Sequence, residues 1–378
     1  MRRSTDRILT THVGSLPRPD DIAEVLFARE PGQPVPGLEA RVSGVVADLV
    51  QRQVVTGIDI VSDGEASKSD FVGYVQDRLT GFGGPKYPML PPPSASQRAR
   101  FPTWAAQQAQ KRHRQMAKAS CNGPIAVGDP QAVHRDIANL RTALAGLEPT
   151  EVFMTAAPPG LIATRLRNEF YPTQEAYIYA IADAMAHEYR AIVEAGFLLQ
   201  IDCPDLSGRI VPPDQEAARR ADQQLRLEAL NHALQGLPPD RMRLHLCWGN
   251  FNGPHLEDGP LQGALAIAFQ ARPAAISFEG ANPRHEHEWA VFSDVKLPDD
   301  KLIMPGVIDS CTSYVEHPEL VAQRIVRYAS LVGRENVIAS VDCGFGTFVT
   351  DREVDPEIVW LKLQSLVEGA RLASQQLW

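Results

Sequence analysis

Short apolar runs recur along this chain, separated by segments of helical spacing, and that alternation leaves few architectures open. The runs are Arg7–Val13, Gly57–Val61, Glu151–Thr155, Leu198–Asp202, Arg243–Cys247, Ala275–Glu279, Leu302–Val307 and Val337–Asp342. Each ends in polar or turn residues, as a buried strand does on leaving the core. Between most of them lie segments with helical periodicity, such as Leu38–Gly57, Gln174–Gly196, Asp214–Leu237 and Pro318–Gly333. Gly57, Gly196 and Gly333 fall where helix C-caps belong. Strands alternating with helices make a parallel sheet, because each crossover helix returns the chain to start the next strand in the same direction. Eight such runs point to a closed (β/α)8 TIM barrel rather than an open sheet. No fixed-period repeat interrupts the pattern, so one domain over residues 1–378 is expected.

One interval is too long for a single barrel helix. Residues 62–150 separate the second run from the third. They include Gly81–Pro85, the proline-rich Tyr87–Ser94 and the Arg-, Gln- and Ala-rich Gln97–Ala119. The expectation is an insertion at about residues 80–130, between the second and third strands, with a surface loop first and helix in its second half.

Composition narrows the function. The formal net charge is −9, which argues against a nucleic-acid partner because phosphate binding needs a basic footprint. No apolar stretch reaches the roughly 18 residues that span a bilayer, so no membrane association is expected. Arg2 and Arg3 are followed by Ser4, Thr5 and Asp6 rather than by the apolar core of a signal peptide, so a cytoplasmic location is expected. Five Cys, an odd number in a long chain, do not suggest a disulfide framework. Burial, metal ligation and nucleophilic chemistry remain open for them.

The strongest chemical signal is Arg243-Leu-His-Leu-Cys247. Period-two alternation sends Leu244 and Leu246 to one face, and Arg243, His245 and Cys247 to the other. Two further runs end in ligand-type side chains: Ala275-Ile-Ser-Phe-Glu279 in Glu279, and Val337-Ile-Ala-Ser-Val-Asp-Cys343 in Cys343. Barrel active sites form at the C-terminal ends of strands. One His, two Cys and one Glu make a tetrahedral Zn2+ set. Taken singly, Cys247 and Cys343 also fit ordinary small core residues.

A second group is acidic. Asp59-Ile-Val-Ser-Asp-Gly-Glu65 closes the second run, and Gln200-Ile-Asp202 closes the fourth. Glu65 and Asp202 converging over the barrel mouth would bind an amine; helix capping or a surface ion pair is the plainer reading of each. In the first loop, Gly14 lets backbone approach a ligand and Ser15 offers a hydroxyl. Arg284-His-Glu-His-Glu288 reads as a solvated loop, with metal binding by His285 and His287 as the alternative. Gly344-Phe-Gly346 lacks the third glycine of a dinucleotide fingerprint, and neither a phosphate-binding lysine loop nor a G-x-S-x-G elbow is present.

These motifs in this order resemble the catalytic barrel of the cobalamin-independent methionine synthase family. The resemblance runs from Thr11-His-Val-Gly-Ser-Leu-Pro17, through Asp63-Gly-Glu65, Gln200-Ile-Asp202, His245-Leu-Cys247 and Glu279, to Asp342-Cys-Gly344. The length accommodates that barrel but not the extra N-terminal barrel of the full-length plant and bacterial enzymes, so a core-only member is expected. The resemblance implies Zn2+ held by His245, Cys247, Glu279 and Cys343. It also implies a small-molecule thiol such as homocysteine held at Gly14 and Ser15, with its ammonium paired to Glu65 and Asp202. The implied reaction is zinc-dependent S-methyl transfer onto that thiol, with an oligomeric state left open.

The chain departs from the family at one functional position. Family members carry Gly-Val-Tyr-Asp-x-His after the seventh strand, and that His is associated with protonating the departing pterin. Here the segment reads Gly306-Val-Ile-Asp-Ser-Cys311, so Cys311 stands at that position, with His317, His285 and His287 as nearby substitutes. The donor is therefore open between methyltetrahydrofolate and one that needs no such proton, such as a methylcorrinoid. A thiol alkyltransferase of the epoxyalkane:coenzyme M transferase type is the runner-up. A pterin- or metal-binding module without turnover, and a zinc-free barrel of the uroporphyrinogen decarboxylase type, are the readings from other classes.

Overall fold

The computed structural model describes residues 1–88, 94–111, 117–349 and 353–378. Each of the eight runs contributes a parallel strand: β1 Leu9–Thr10, β2 Ile60–Ser62, β3 Glu151–Ala156, β4 Leu198–Asp202, β5 Met242–His245, β6 Ala275–Phe278, β7 Leu302–Pro305 and β8 Ile338–Ala339. Strands β2 to β7 pair in sequence order, and β1 pairs with β8. Bridges Ile303–Val337 and Gly306–Ser340 join β7 to β8. Side chains stitch β1 to the start of β2: Thr10 N donates to Asp59 Oδ2 at 2.9 Å, and Thr11 Oγ1 to the Ile60 carbonyl at 3.1 Å. The result is an α/β fold with a curled parallel sheet of the TIM-barrel type.

The strands are short, and their C-terminal ends turn into loops at the barrel mouth. Cys247, Glu279 and Cys343 all lie beyond the last ladder residue of their strand. Alternation sorts the inner face into layers. Leu9, Ile60, Phe153, Leu198, Ala275, Leu302, Met304 and Ile338 form one small apolar cluster inside the sheet. Further along the same strands the inward positions turn polar, through Thr155, Gln200 and Ser277 to Asp202 and His245. The large core lies between the strands and the outer helices.

Arg243 projects into this interior without a carboxylate hydrogen-bonded to it among the described residues. Its Nη1 and Nη2 instead donate to Thr11 Oγ1 at 2.9 Å and the His12 carbonyl at 2.7 Å, and its guanidinium lies 4.0 Å from the Phe153 ring centroid. Burial lowers it to about 9, opposed by the charge of Asp202, so it stays cationic at neutral pH.

The outer helices follow the sequence closely. Leu38–Thr56, Gln174–Glu194, Glu216–Ala233 and Pro318–Val332 are helical, and Gly57, Gly196 and Gly333 follow three of them. The stretch between β2 and β3 departs from expectation. The expected helix is present as two pieces, Ala95–Arg100 and Pro102–Lys111, broken where Pro102 disfavours a helical Phe101. Ala117–Cys121 is a strand, antiparallel to Phe82–Pro88, which includes part of the expected surface loop. Pro85 and Pro88 are tolerated because this two-stranded ribbon has free edges and its register shifts between Phe82 and Lys86. Residues 89–93 of the proline-rich segment and 112–116 of the expected helix lie outside the described residues. Among the described residues no helix is long and apolar enough to cross a membrane.

Candidate active site at the barrel mouth

Three buried ligand-type side chains meet at the C-terminal end of the sheet. His245 faces inward on β5, and its Nδ1 pairs with Ser277 Oγ at 3.2 Å. This leaves His245 Nε2 buried with no hydrogen-bond partner among the described residues. Cys247 Sγ lies 3.6 Å from Cys343 Sγ, and the ligand atoms of all three residues fall within 4.8 Å of one another. Burial, then the nearby charge of Arg243, lower His245 to about 3, so it is the neutral imidazole that metal ligation requires. The hydrogen bond that Cys247 donates to Cys343, followed by burial, pushes the Cys247 thiol well above its usual range. An orphaned imidazole nitrogen beside two thiols fits zinc, which favours nitrogen and sulfur ligands.

Glu279 stands beside this group rather than within it. Its Oε1 accepts from Trp248 N at 2.6 Å and its Oε2 from Asn282 Nδ2 at 2.7 Å. Burial, then the proximity of Cys247, raise its carboxyl well above the usual range. Asp342, next to Cys343, anchors the neighbouring loop. Its Oδ1 accepts from Gly280 N and Ala281 N, and its Oδ2 from Asn282 N, each at 2.8 Å. Burial and then Asp309 raise Asp342 to about 7 despite those three donors.

The carboxylates of the second group converge as well. Asp202 is raised well above its usual range by burial first and by the charge of Glu65 second, so the two carboxylates lie near each other. Gln200 Nε2 donates to Asp202 Oδ1 at 2.7 Å and also holds the Val13 carbonyl. Glu65 Oε1 accepts from Thr155 Oγ1 at 2.8 Å, while Glu65 Oε2 is buried without a hydrogen-bond partner among the described residues. Glu65 takes a left-handed φ of 56°, rare for a residue with a Cβ. The first loop packs directly on it. Gly14 has φ 133°, and a Cβ there would stand 2.6 Å from Thr155 Cγ2 and 3.0 Å from Glu65 Oε1. His12 fixes that loop by accepting from Gly14 N at 3.2 Å on Nδ1 while its Nε2 faces Gln53 Oε1 at 2.7 Å. Ser15 Oγ accepts from Gly346 N at 3.3 Å.

A cavity of about 380 Å³ opens over the cysteines, with Cys343, Glu279, Asp342, Cys311, Phe251 and His255 in its wall. Cys311 Sγ donates to Asn250 Oδ1 at 3.1 Å, and burial followed by Asp309 pushes its thiol far above the usual range. Asn250 also ties this wall to the metal-type cysteine loop, because its Nδ2 donates to the Gly344 carbonyl at 2.6 Å.

Of the ten site residues read from the sequence, His317 is placed elsewhere. It is exposed and caps the helix Pro318–Val332, its Nδ1 accepting from Glu319 N at 3.2 Å. A His immediately before Pro at a helix start is explained by capping. His287 is also exposed, whereas His285 is buried, correcting the expectation of a solvated loop for that residue. His285 stacks on Trp248 with ring centroids 4.2 Å apart and bonds Glu288 Oε2 at 2.7 Å and Asp258 Oδ2 at 3.2 Å. Thr155, Lys68, Asn250 and Asp258 were not singled out in the sequence. Their roles depend on contacts across the barrel that no local pattern encodes.

A curled parallel sheet with a His, two Cys and paired carboxylates at its C-terminal mouth defines a TIM-barrel-type protein built around a metal-competent thiol site. Residues 8–147 match the family described as the catalytic domain of cobalamin-independent synthase. The methionine synthase of Saccharolobus solfataricus is 24% identical over 377 residues, covering 97% of this chain and 95% of that protein. That of Sulfolobus acidocaldarius is 23% identical, covering 97% and 93%. The solved structure of a B12-independent methionine synthase from Shewanella sp. W3-18-1, in complex with selenomethionine, superposes with a TM-score of 0.73 at 19% identity, covering 98% of this chain and 99% of that one. The chain is thus similar to the cobalamin-independent methionine synthase catalytic domain over residues 8–147 and to methionine synthases along nearly its whole length, in keeping with the order of its motifs.

Proposed function

We propose that this chain is a zinc-dependent S-methyltransferase of the methionine synthase type, a single (β/α)8 barrel with an arm at about residues 80–130. It would act on a small thiol carrying an amine, such as homocysteine. The observation that carries the reading is a buried His245 whose ring offers a ligand nitrogen within 4.8 Å of the Cys247 and Cys343 sulfurs and whose Nε2 has no hydrogen-bond partner among the described residues. The likeness to methionine synthases along nearly the whole chain supports it.

His245, Cys247 and Cys343 would hold the zinc, with Glu279 alongside as a fourth, exchangeable ligand. Zinc bound there supplies the Lewis acidity that keeps a substrate thiol deprotonated near neutral pH. The remaining work falls to the chain. Glu65 and Asp202 receive the substrate ammonium, which relieves the mutual repulsion of two buried carboxylates. Gly14 keeps the first loop close enough for the backbone to meet the substrate, and Ser15 lines the same corner. Together they fix the sulfur in line for attack on the methyl carbon; such orientation supplies much of the rate in transfer reactions.

The donor reading turns on Cys311. Its thiol is already bonded to Asn250 and is pushed far above the usual range, so it holds its proton at neutral pH. This favours a donor whose leaving group needs no proton over methyltetrahydrofolate; thiol alkylation of the epoxyalkane:coenzyme M transferase type stays the runner-up, and its alkoxide product would need a proton from a group other than Cys311. The test is a screen of methyl donors and thiols on zinc-loaded protein, read by product mass. Transfer to homocysteine supports the proposal, and Glu65→Gln or Asp202→Asn should then raise KM and lower kcat together. Equal use of an amine-free mercaptosulfonate would move the assignment to the alkyltransferase reading. No transfer to any thiol would overturn both.

A further inference from the structure

Glu65 is held by a chain of donors that the proposed reaction does not itself use. Lys68 is buried, and its Nζ donates to the Thr155 carbonyl at 2.6 Å and to Thr155 Oγ1 at 2.9 Å. The Lys68 ammonium also lies 4.5 Å from the Tyr74 ring centroid. Thr155 Oγ1 in turn stands 2.8 Å from Glu65 Oε1.

Donor arithmetic fixes the direction of this chain. An ammonium has donors and no acceptor, and a hydroxyl has one proton. Thr155 Oγ1 must therefore accept from Lys68, and its single proton goes to Glu65 Oε1. That oxygen has its donor, whereas Glu65 Oε2 is buried with no hydrogen-bond partner among the described residues. The backbone is pinned too: Arg18 Nε and Nη2 donate to the Glu65 carbonyl at 3.1 and 2.8 Å, across a residue whose φ is 56°. A buried carboxylate with one oxygen saturated and the other unpaired calls for an external donor, because an unpaired buried polar atom is costly.

We propose that Lys68 and Thr155 are positioning residues that turn the free oxygen of Glu65 toward the substrate and so set the preference for an amine-bearing thiol. The inference rests on the reading of Glu65 and Asp202 as the ammonium site. Removing Lys68 frees the Thr155 hydroxyl to rotate away; removing the hydroxyl frees Glu65 directly. Both changes act on one relay, so their effects should not add.

The experiment is calorimetric binding of homocysteine and of its des-amino analogue 4-mercaptobutyrate to zinc-loaded protein. Wild type, Lys68→Met, Thr155→Val, Thr155→Ser and the Lys68→Met/Thr155→Val double variant are compared. Wild type should favour homocysteine by about 10–100-fold, the range expected for a charge-assisted contact. Lys68→Met and Thr155→Val should each cut that ratio roughly tenfold while leaving 4-mercaptobutyrate binding within about twofold, the double variant should match the singles, and Thr155→Ser should keep the preference. A wild-type ratio near one would overturn the ammonium reading and this inference with it. A full ratio in wild type that persists in Thr155→Val and Lys68→Met overturns the relay alone. Equal loss of both ligands assigns the two residues a merely structural role and also overturns it. Should Lys68→Met not fold, the Thr155→Val and Thr155→Ser pair decides.

Discussion

Cys247 Sγ and Cys343 Sγ stand 3.6 Å apart although 96 positions separate them in the chain. They follow β5 and β8, which are not neighbours in the sheet, so the contact is made across the barrel mouth. The separation is well beyond the roughly 2.05 Å of a disulfide. Two thiols this close resist losing both protons, because the second thiolate would face the charge of the first. A cation between them removes that penalty, and His245 Nε2 is the neutral donor at hand.

The first prediction follows from this pair. Purified protein should bind about one zinc per chain, as a site of this donor set does. Cys247→Ser and Cys343→Ser should each weaken binding by more than the roughly 10–100-fold that loss of a ligand's supporting partner costs. Cys121→Ser should leave binding unchanged, because Cys121 sits in the two-stranded ribbon with its thiol donating to the Gly123 carbonyl at 3.3 Å. Elemental analysis after dialysis against a chelator reads the outcome, and full occupancy in Cys247→Ser would sink the assignment.

Legibility in the sequence followed locality. All eight strands were visible because a buried parallel strand writes itself as a short apolar run, and the inward face of β5 was visible because alternation is strict at Arg243, His245 and Cys247. The ribbon Phe82–Pro88 with Ala117–Cys121 was not, since two prolines disguise one strand and an alanine-rich stretch disguises the other as helix. The site divides in the same way. Ligand-type residues at strand ends announce themselves, but Lys68 and Thr155 become significant only when β3 is laid beside β2. A His preceding a helix reads alike in the sequence as a cap and as an acid, and His317 serves as the cap of Pro318–Val332.

Gly306 is a glycine for reasons of space. A Cβ there would stand 2.1 Å from Asp342 Oδ1 and 2.7 Å from Asp342 Cα, so backbone as well as side chain must shift. Asp342 holds three consecutive amides of the Gly280–Asn282 turn and precedes Cys343. Gly306→Ala should cost about 1–3 kcal/mol, typical of overpacking, and should weaken zinc retention with it. Denaturant unfolding measures the first effect and metal titration the second. An unchanged midpoint would show that the loop absorbs the methyl group.

His285 predicts a pH dependence of stability. Burial disfavours its charged form, but Asp258 and Glu288 outweigh this and raise it to about 9. The folded state therefore binds this proton more tightly than the unfolded chain, where an ordinary His titrates near 6.5. Its contribution is full below about pH 6.5 and is lost as pH rises through about 9, a span on the order of 1–3 kcal/mol. Unfolding midpoints of metal-free wild type should fall between pH 6.5 and pH 9 more steeply than those of His285→Gln. Parallel profiles for the two proteins would refute the assignment.

The proposed donor preference rests on Cys311. With methyltetrahydrofolate the pterin nitrogen must gain a proton as the methyl leaves, and a positioned acid contributes roughly 10²–10⁴-fold to such a step. The Cys311 thiol lines the cavity but is committed to Asn250 Oδ1, where it sits beside Ser310 Oγ, which donates to the same oxygen at 2.9 Å. Pushed above its usual range by burial and then Asp309, it is a weaker acid at neutral pH than an imidazolium. Wild type should therefore use methyltetrahydrofolate slowly or not at all, and an activated donor such as a methylsulfonium faster. Cys311→His should raise methyltetrahydrofolate turnover by about tenfold or more, toward the general-acid range, and leave the sulfonium rate within about twofold, because only the first reaction needs the proton. Steady-state rates with both donors on both proteins give the comparison. Wild-type turnover of methyltetrahydrofolate at about 1–10³ s⁻¹, the ordinary enzymatic range, would show that another group supplies the proton. An equal rise with both donors would mean that the new side chain improves binding or closure rather than acid catalysis.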